Sequence, residues 1–201
     1  MAKNVKLLCC AVLLLALLWC RAAWASEPVP AIVEKVCSTC HGMDGNSVIP
    51  TIPKLAGRHP DYLFKELSDF VSGKRTSEVM GAIAPTIELG ELRKISAYFG
   101  AQKSTSEAIT DPIAAALGEQ IFLNGDEARG LPACGGCHED DGSGGKRFPR
   151  LAGQHRAYLI EQLHKFRTGV HLYPGARFMR EVAKRMTEEE IRAVAEYVSA
   201  K

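Results

Sequence analysis

The sequence predicts an all-α fold: two tandem helical modules of related pattern, preceded by a cleavable export signal. Three observations carry this expectation. The pattern C-x-x-C-H occurs twice, at Cys37-Ser38-Thr39-Cys40-His41 and Cys134-Gly135-Gly136-Cys137-His138, with the first cysteines 97 residues apart. The residues after each copy recur in the same order, Pro53, Leu55, Ala56, Gly57 and His59 matching Pro149, Leu151, Ala152, Gly153 and His155 at a displacement of 96. Helical periodicity runs through both halves, and no segment alternates apolar and polar residues as a strand does.

Residues 1–25 read as the export signal. Lys3 and Lys6 form a charged start, residues 7–19 are an apolar run, and Ala23-Trp24-Ala25 is a small-x-small site that places cleavage before Ser26. The 13-residue run is short of the roughly 20 residues a membrane-spanning helix needs; the rival reading keeps it as an uncleaved anchor. Cleavage would remove Cys9, Cys10 and Cys20, so the four remaining cysteines all lie in the C-x-x-C-H motifs. No thiol is then left for a disulfide or a catalytic nucleophile. The mature chain would carry 22 basic and 23 acidic residues, a balance that offers nothing to nucleic acid.

Residues 26–101 form the expected first module, 102–112 a polar linker ending at a proline, and 113–201 the second module. Pro60 suits a first helical turn, where its missing N–H costs nothing, and Gly73 suits the end of that helix. Tyr62, Leu63, Leu67, Phe70 and Val71 share one face of it. The counterpart covers 156–168 and stops at Gly169. A last helix over 90–99 matches one opened by Thr187-Glu188-Glu189-Glu190, a capping-box pattern, which buries Ile191, Val194, Ala195 and Val198. Beyond the long helices the displacement grows to 99, with Met80, Ala84 and Tyr98 matching Met179, Ala183 and Tyr197. Three extra residues therefore fall within 170–175.

C-x-x-C-H is the pattern of covalent haem attachment. Two thiols add to the haem vinyl groups and the adjacent imidazole faces the iron. Cys37, Cys40, Cys134 and Cys137 are thus expected to hold two c-type haems, with His41 and His138 as axial ligands; zinc binding and thiol redox chemistry are the rival uses. Each module has fewer than 100 residues and few aromatics, so the macrocycle would supply missing core volume, and protein without haem should be largely unfolded.

The second axial ligand decides the function. Met43 is two residues from His41 and cannot reach the opposite haem face, and Met186 faces Ile87 in the repeat. Met80 and Met179 are the methionines at matching positions, 39 and 41 residues after their histidines. His59 and His155 are the rival pair, otherwise assigned to the surface or the propionate side. His164 and His171 lack first-half partners and are expected to face solvent. A thioether opposite histidine is a soft, neutral ligand that favours ferrous iron and leaves no vacancy for oxygen or peroxide, as an electron carrier requires.

These residues resemble the dihaem cytochrome c4 family. The likeness covers residues 31 to 201 and is carried by both C-x-x-C-H motifs, both P-x-L-x-G segments and the matched methionines. In the second half Gly118-Glu119-Gln120-Ile121-Phe122, Pro132-Ala133-Cys134, residues 148–155 and Phe178-Met179 carry it too. The resemblance implies two class I cytochrome c domains related by pseudo-twofold symmetry. It implies that the carbonyls of Pro53 and Pro149 accept hydrogen bonds from the iron-bound imidazoles, and that Gly118 and Phe122 pack near Tyr197. Only 11 residues lie between the expected mature start and Cys37, so the first module lacks a Gly118–Phe122 counterpart and its leading helix should be short, about 31–36. That short start, with Gly45-Asn46-Ser47 and Val79-Met80-Gly81, also resembles the dihaem cytochrome subunit of flavocytochrome c sulfide dehydrogenases.

The family resemblance implies a periplasmic carrier that accepts electrons from a cytochrome bc complex or a dehydrogenase and passes them to a haem–copper oxidase. The alternative resemblance implies a subunit that accepts electrons from a flavoprotein. Membrane contact would come only through partners or an uncleaved signal. A dihaem peroxidase needs an open iron position and a distal histidine, which this pattern does not offer. Residues 146–185 hold ten basic and two acidic residues, against five and four in the equivalent 50–86. That excess reads either as a docking face for an acidic partner or as propionate partners, Arg147 and Arg150 among them.

Overall fold

The computed structural model describes residues 28–171 and 174–201, without the side chain of Pro174. The export signal, its cleavage site and most of the three-residue insertion lie outside the described residues. Within them the fold is helical, and the only β feature is an isolated bridge between Asp126 and Leu131. No described helix is long and apolar enough to cross a membrane.

The first module opens with α1 (Val29–Ile32), passes through a π-helical stretch (Val33–Cys37) and continues into α2 (Ser38–His41). This start is longer than the expected 31–36. Pro30 sits in its first turn, and the helix does not stop before the motif but runs on into it. Helix α3 (Pro60–Val71) begins at Pro60 as expected; α4 (Glu78–Ile83) and α5 (Leu89–Gly100) follow. The core is small: Val33, Leu63, Ile95 and Phe99, with Ile32, Leu55 and Tyr98 packed against it. Val71, placed on the buried face by its periodicity, is exposed at the end of α3.

The second module is built on α6 (Pro112–Asn124), α7 (Gly135–His138), α8 (Arg156–Thr168), α9 (Arg177–Arg185) and α10 (Glu188–Ser199). Asp111 caps α6 by accepting from the amides of Ile113 and Ala114. Helix α8 ends at Gly169, whose φ of 77° is the left-handed conformation that a glycine adopts cheaply. Thr187 and Glu190 close the capping box of α10. Gly118 lets α6 and α10 approach until a Cβ would collide with the Ala193 carbonyl. Beside it the Phe122 and Tyr197 rings lie 5.6 Å apart. Ile121, Phe122, Leu131, Ile191, Val194 and Val198 form a larger core than the first module has.

The repeat extends to single hydrogen bonds. Leu55 N donates to Gly45 O at 2.7 Å and Leu151 N to Gly142 O at 2.8 Å; Gly57 N donates to Phe99 O at 3.1 Å and Gly153 N to Val198 O at 3.0 Å. The linker is strapped to both modules. Asn46 accepts from Thr105 N, Lys54 Nζ donates to Thr105 O, Glu107 N donates to Ser199 O, and Glu196 accepts from Thr110 N.

Candidate haem sites

Each C-x-x-C-H forms one tight helical turn, which puts both thiols on the same side and the histidine at the end of the turn. Gly42, with φ 76°, terminates the first turn; Glu139 does so in the second at φ 64°, where a non-glycine residue is uncommon. His41 and His138 are buried. Their Nδ1 atoms lie 2.9 Å from the carbonyl oxygens of Pro53 and Pro149 respectively. Such a bond fixes the tautomer, holds the ring plane and leaves the Nε2 lone pair for a metal. Burial holds both imidazoles below the usual histidine value, against a smaller upward effect of these carbonyl contacts. Burial likewise pushes the Cys37 and Cys134 thiols up to about 11, as expected of side chains inside an apolar site.

In the second module, Cys134, Leu151 and Met179 all pack on the same apolar cluster. In the first, Cys37 and Leu55 join the cluster, while Met80 lies half-buried in α4, just after the helix start capped by Ser77. The structure therefore brings Met179 to the core that holds the second motif and does not bring Met80 to the core cluster of the first.

The other histidines separate clearly. His59 caps α3, accepting from Asp61 N at 3.2 Å, with its side chain 34% exposed. His155 is buried, with Nε2 2.8 Å from Ser47 O and Nδ1 2.8 Å from Glu107 Oε1. Both of its nitrogens are thus engaged away from any iron. His164 lies at the surface beside Glu188. His171 does not face solvent as the sequence suggested. It is buried against the Phe166 ring, with Nε2 2.9 Å from Gln162 Oε1. Its place in the repeat is held by Arg75, which pairs with Glu66 at 2.5 Å and lies over Phe70. A charged pair in one module is a neutral pair in the other, so a search for identical residues misses the correspondence.

Between the modules the buried polar groups carry an excess of positive charge. Lys54 and Arg58 are buried; Arg58 donates to the carbonyls of Lys54 and Arg150, and burial pushes its guanidinium down to about 10. Arg150 Nε is buried without a hydrogen-bond partner. Cations in this state suit the carboxylates of a porphyrin, and the paired thiols and buried imidazoles suit its vinyl groups and iron. The residues present fit haem. Among the described residues no group of three or more His, Cys, Asp or Glu side chains is arranged to hold a metal ion.

Comparison with known proteins agrees with this chemistry. The cytochrome c family model matches twice, over residues 26–98 and 115–200. The chain is 40% identical over 166 residues to cytochrome c4 of Pseudomonas aeruginosa, covering 81% of this chain and 82% of that one. It is 34% identical over 190 residues to a thiosulfate dehydrogenase electron acceptor of Thiomonas intermedia, covering 92% and 86%. Over 69 residues, 34% of this chain and 62% of the other, it is 44% identical to a cytochrome subunit of sulfide dehydrogenase from Chlorobaculum tepidum. The structure of reduced cytochrome c4 from Pseudomonas stutzeri superposes with a TM-score of 0.80 at 37% identity, covering 89% of this chain and 99% of that one. Two cytochrome c domains with these motifs carry two covalent c-type haems. The chain belongs to the cytochrome c family and, within it, to the dihaem cytochromes c4, which are electron-transfer proteins.

Proposed function

We propose that this chain is an exported, periplasmic carrier of single electrons, with one haem held by His41 and Met80 and the other by His138 and Met179. The observation that carries this reading is the matched pair of buried histidines, each with Nδ1 engaged by a proline carbonyl, in modules that also repeat one methionine. Bound haem supplies a one-electron change at iron. The chain's own part would be to fix each imidazole, to offer Met80 and Met179 as further ligands and to keep water and oxygen away. A filled coordination sphere carries charge with little rearrangement and no bond chemistry. Residues 26–101 and 113–201 are the carrier modules, and 102–112 joins them.

The donor in this reading is a cytochrome bc complex or a dehydrogenase, and the acceptor a haem–copper oxidase. A second reading makes the chain the electron-accepting partner of a sulfur-compound dehydrogenase or a flavoprotein. It is favoured by the relatives named for thiosulfate and sulfide dehydrogenases. Copurification with a flavin-containing chain would select that second reading.

The test of ligation is the ferric absorption spectrum of the holoprotein, read at the weak methionine-to-iron charge-transfer band and calibrated by haem content. Two haems per chain with full band intensity are expected. Half intensity or a high-spin signal would remove one methionine from the scheme, and Met80→Ala and Met179→Ala would identify which.

A further inference from the structure

His155 lies where the two modules and the linker meet. Its side chain is 8% exposed, and its ring nitrogens face a backbone carbonyl and a carboxylate. Nε2 is 2.8 Å from the Ser47 carbonyl of the first module, and Nδ1 is 2.8 Å from Glu107 Oε1 in the linker. A neutral imidazole has a single N–H and can satisfy one of the two. Both bonds form together only when each nitrogen carries a proton.

Charged groups of both modules surround this contact. Arg156 of α8 approaches Glu107 Oε2 with its side chain at 3.9 Å and its backbone N–H at 3.4 Å. Lys54 of the first module lies close enough to feel the Glu107 charge. Glu196 of α10 takes Arg156 Nε at 2.6 Å, so Arg156 is shared between two carboxylates. Glu107, Arg156, Lys54 and Glu196 are the charged groups around the ring, and two of the four are cations.

The Ser47 end reaches the first haem turn. Ser47 Oγ donates to Cys40 O at 2.8 Å and accepts from Ile49 N at 3.1 Å, so the carbonyl that His155 holds belongs to the loop braced against the first C-x-x-C-H. His59, the same residue in the repeat, caps its own helix at the surface instead. The pseudo-twofold symmetry is broken here.

We propose that His155 is a positioning residue for electron exchange between the two haem modules, a latch that ties the second module and the linker to the attachment turn of the first haem. The latch is complete while each ring nitrogen donates. A side chain with one donor leaves either Ser47 O or Glu107 without its partner, and the modules are held less firmly. The separation between the two reduction potentials, which depends on how the haems are placed relative to one another, should change with it.

The inference rests on the electron-carrier reading, and its test separates the two. In reduced holoprotein labelled with nitrogen-15 histidine, both His155 ring nitrogens should show hydrogen-bonded protons. His155→Gln keeps one amide donor for Ser47 O and none for Glu107, so redox titration should show a shifted gap between the two potentials while haem content and the methionine band stay intact. His59→Gln should keep the wild-type gap. A single ring proton, or a His155→Gln gap matching wild type, would overturn the latch. An altered methionine band in the unsubstituted protein would instead count against the carrier reading and leave the ring signals unchanged.

Discussion

Gln154 holds both backbone groups of Lys54 across the boundary between the modules: its Oε1 accepts from Lys54 N at 2.9 Å and its Nε2 donates to Lys54 O at 3.2 Å. The repeat returns the contact. Arg58, the counterpart of Gln154, donates to the carbonyl of Arg150, the counterpart of Lys54. Two positions that meet reciprocally are the mark of a twofold interface, here within one chain. Gln154→Ala would leave the Lys54 N–H buried and unpaired, while Lys54 O keeps its bond from Arg58 Nε at 2.6 Å. We expect a loss of about 1–3 kcal/mol in denaturant unfolding of the holoprotein. An unchanged midpoint would mean that this interface contributes little to stability.

Gly118 allows the closest helix approach in the second module. A Cβ there would strike the Ala193 carbonyl and lie 2.9 Å from Tyr197 Cβ, and the first is backbone that cannot turn aside. Overpacking a filled core costs roughly 1–3 kcal/mol, and more where backbone must move. Gly118→Ala should lower the melting temperature of the second module while the first keeps its own. Melting followed at the methionine band should then split into two steps. A single transition at the wild-type temperature would contradict the packing described here.

Legibility in the sequence followed the range of the interactions. Helix ends at Pro60, Gly169 and Thr187 were readable because one or two neighbouring residues decide them. The thiols and imidazoles of the two motifs were readable because their spacing is itself the chemistry. The roles of His59 and His155 were not. They match in the repeat, yet the partner of one is two residues away and a partner of the other 108 residues away in the opposite module. His171 was missed for a different reason, since its counterpart Arg75 and the pair Glu66 and Gln162 preserve the contact but not the charge. The leading helix ran longer than expected because the motif turn extends it.

His171 gives the protein a pH-dependent stability term. Burial is the main cause that pushes its imidazole down to about 4 from the ordinary 6.5, with the nearby Arg75 and Lys165 charges adding to it. The unfolded chain therefore binds a proton below about 6.5 that the folded chain refuses until about 4. Stability contributed by the neutral ring is fully present above that window and falls as pH drops through it, with a slope of at most about 1.4 kcal/mol per pH unit. His171→Gln should flatten the unfolding free energy between these limits. A slope equal to wild type would assign the acid sensitivity to other groups.

Docking should depend on the helix that carries Met179. Arg177 and Phe178 are exposed immediately before it, and their counterparts before Met80 are Glu78 and Val79, so the apolar tip is kept and the charge reversed. The four basic residues of this segment do not contribute alike. Lys184 and Arg185 pair with Glu181 at 3.1 and 3.7 Å, and Arg180 donates to His171 O, whereas Arg177 is exposed. Pairs this exposed are screened and still add to the local field, but Arg177 should dominate. Arg177→Glu should slow reaction with an acidic redox partner by roughly tenfold at low ionic strength and reduce the salt dependence of the rate. Glu78→Arg should not slow it. Stopped-flow rates against salt concentration decide the matter: an unchanged slope in Arg177→Glu would remove this face as the docking site and leave the basic excess of the second module to its internal pairs.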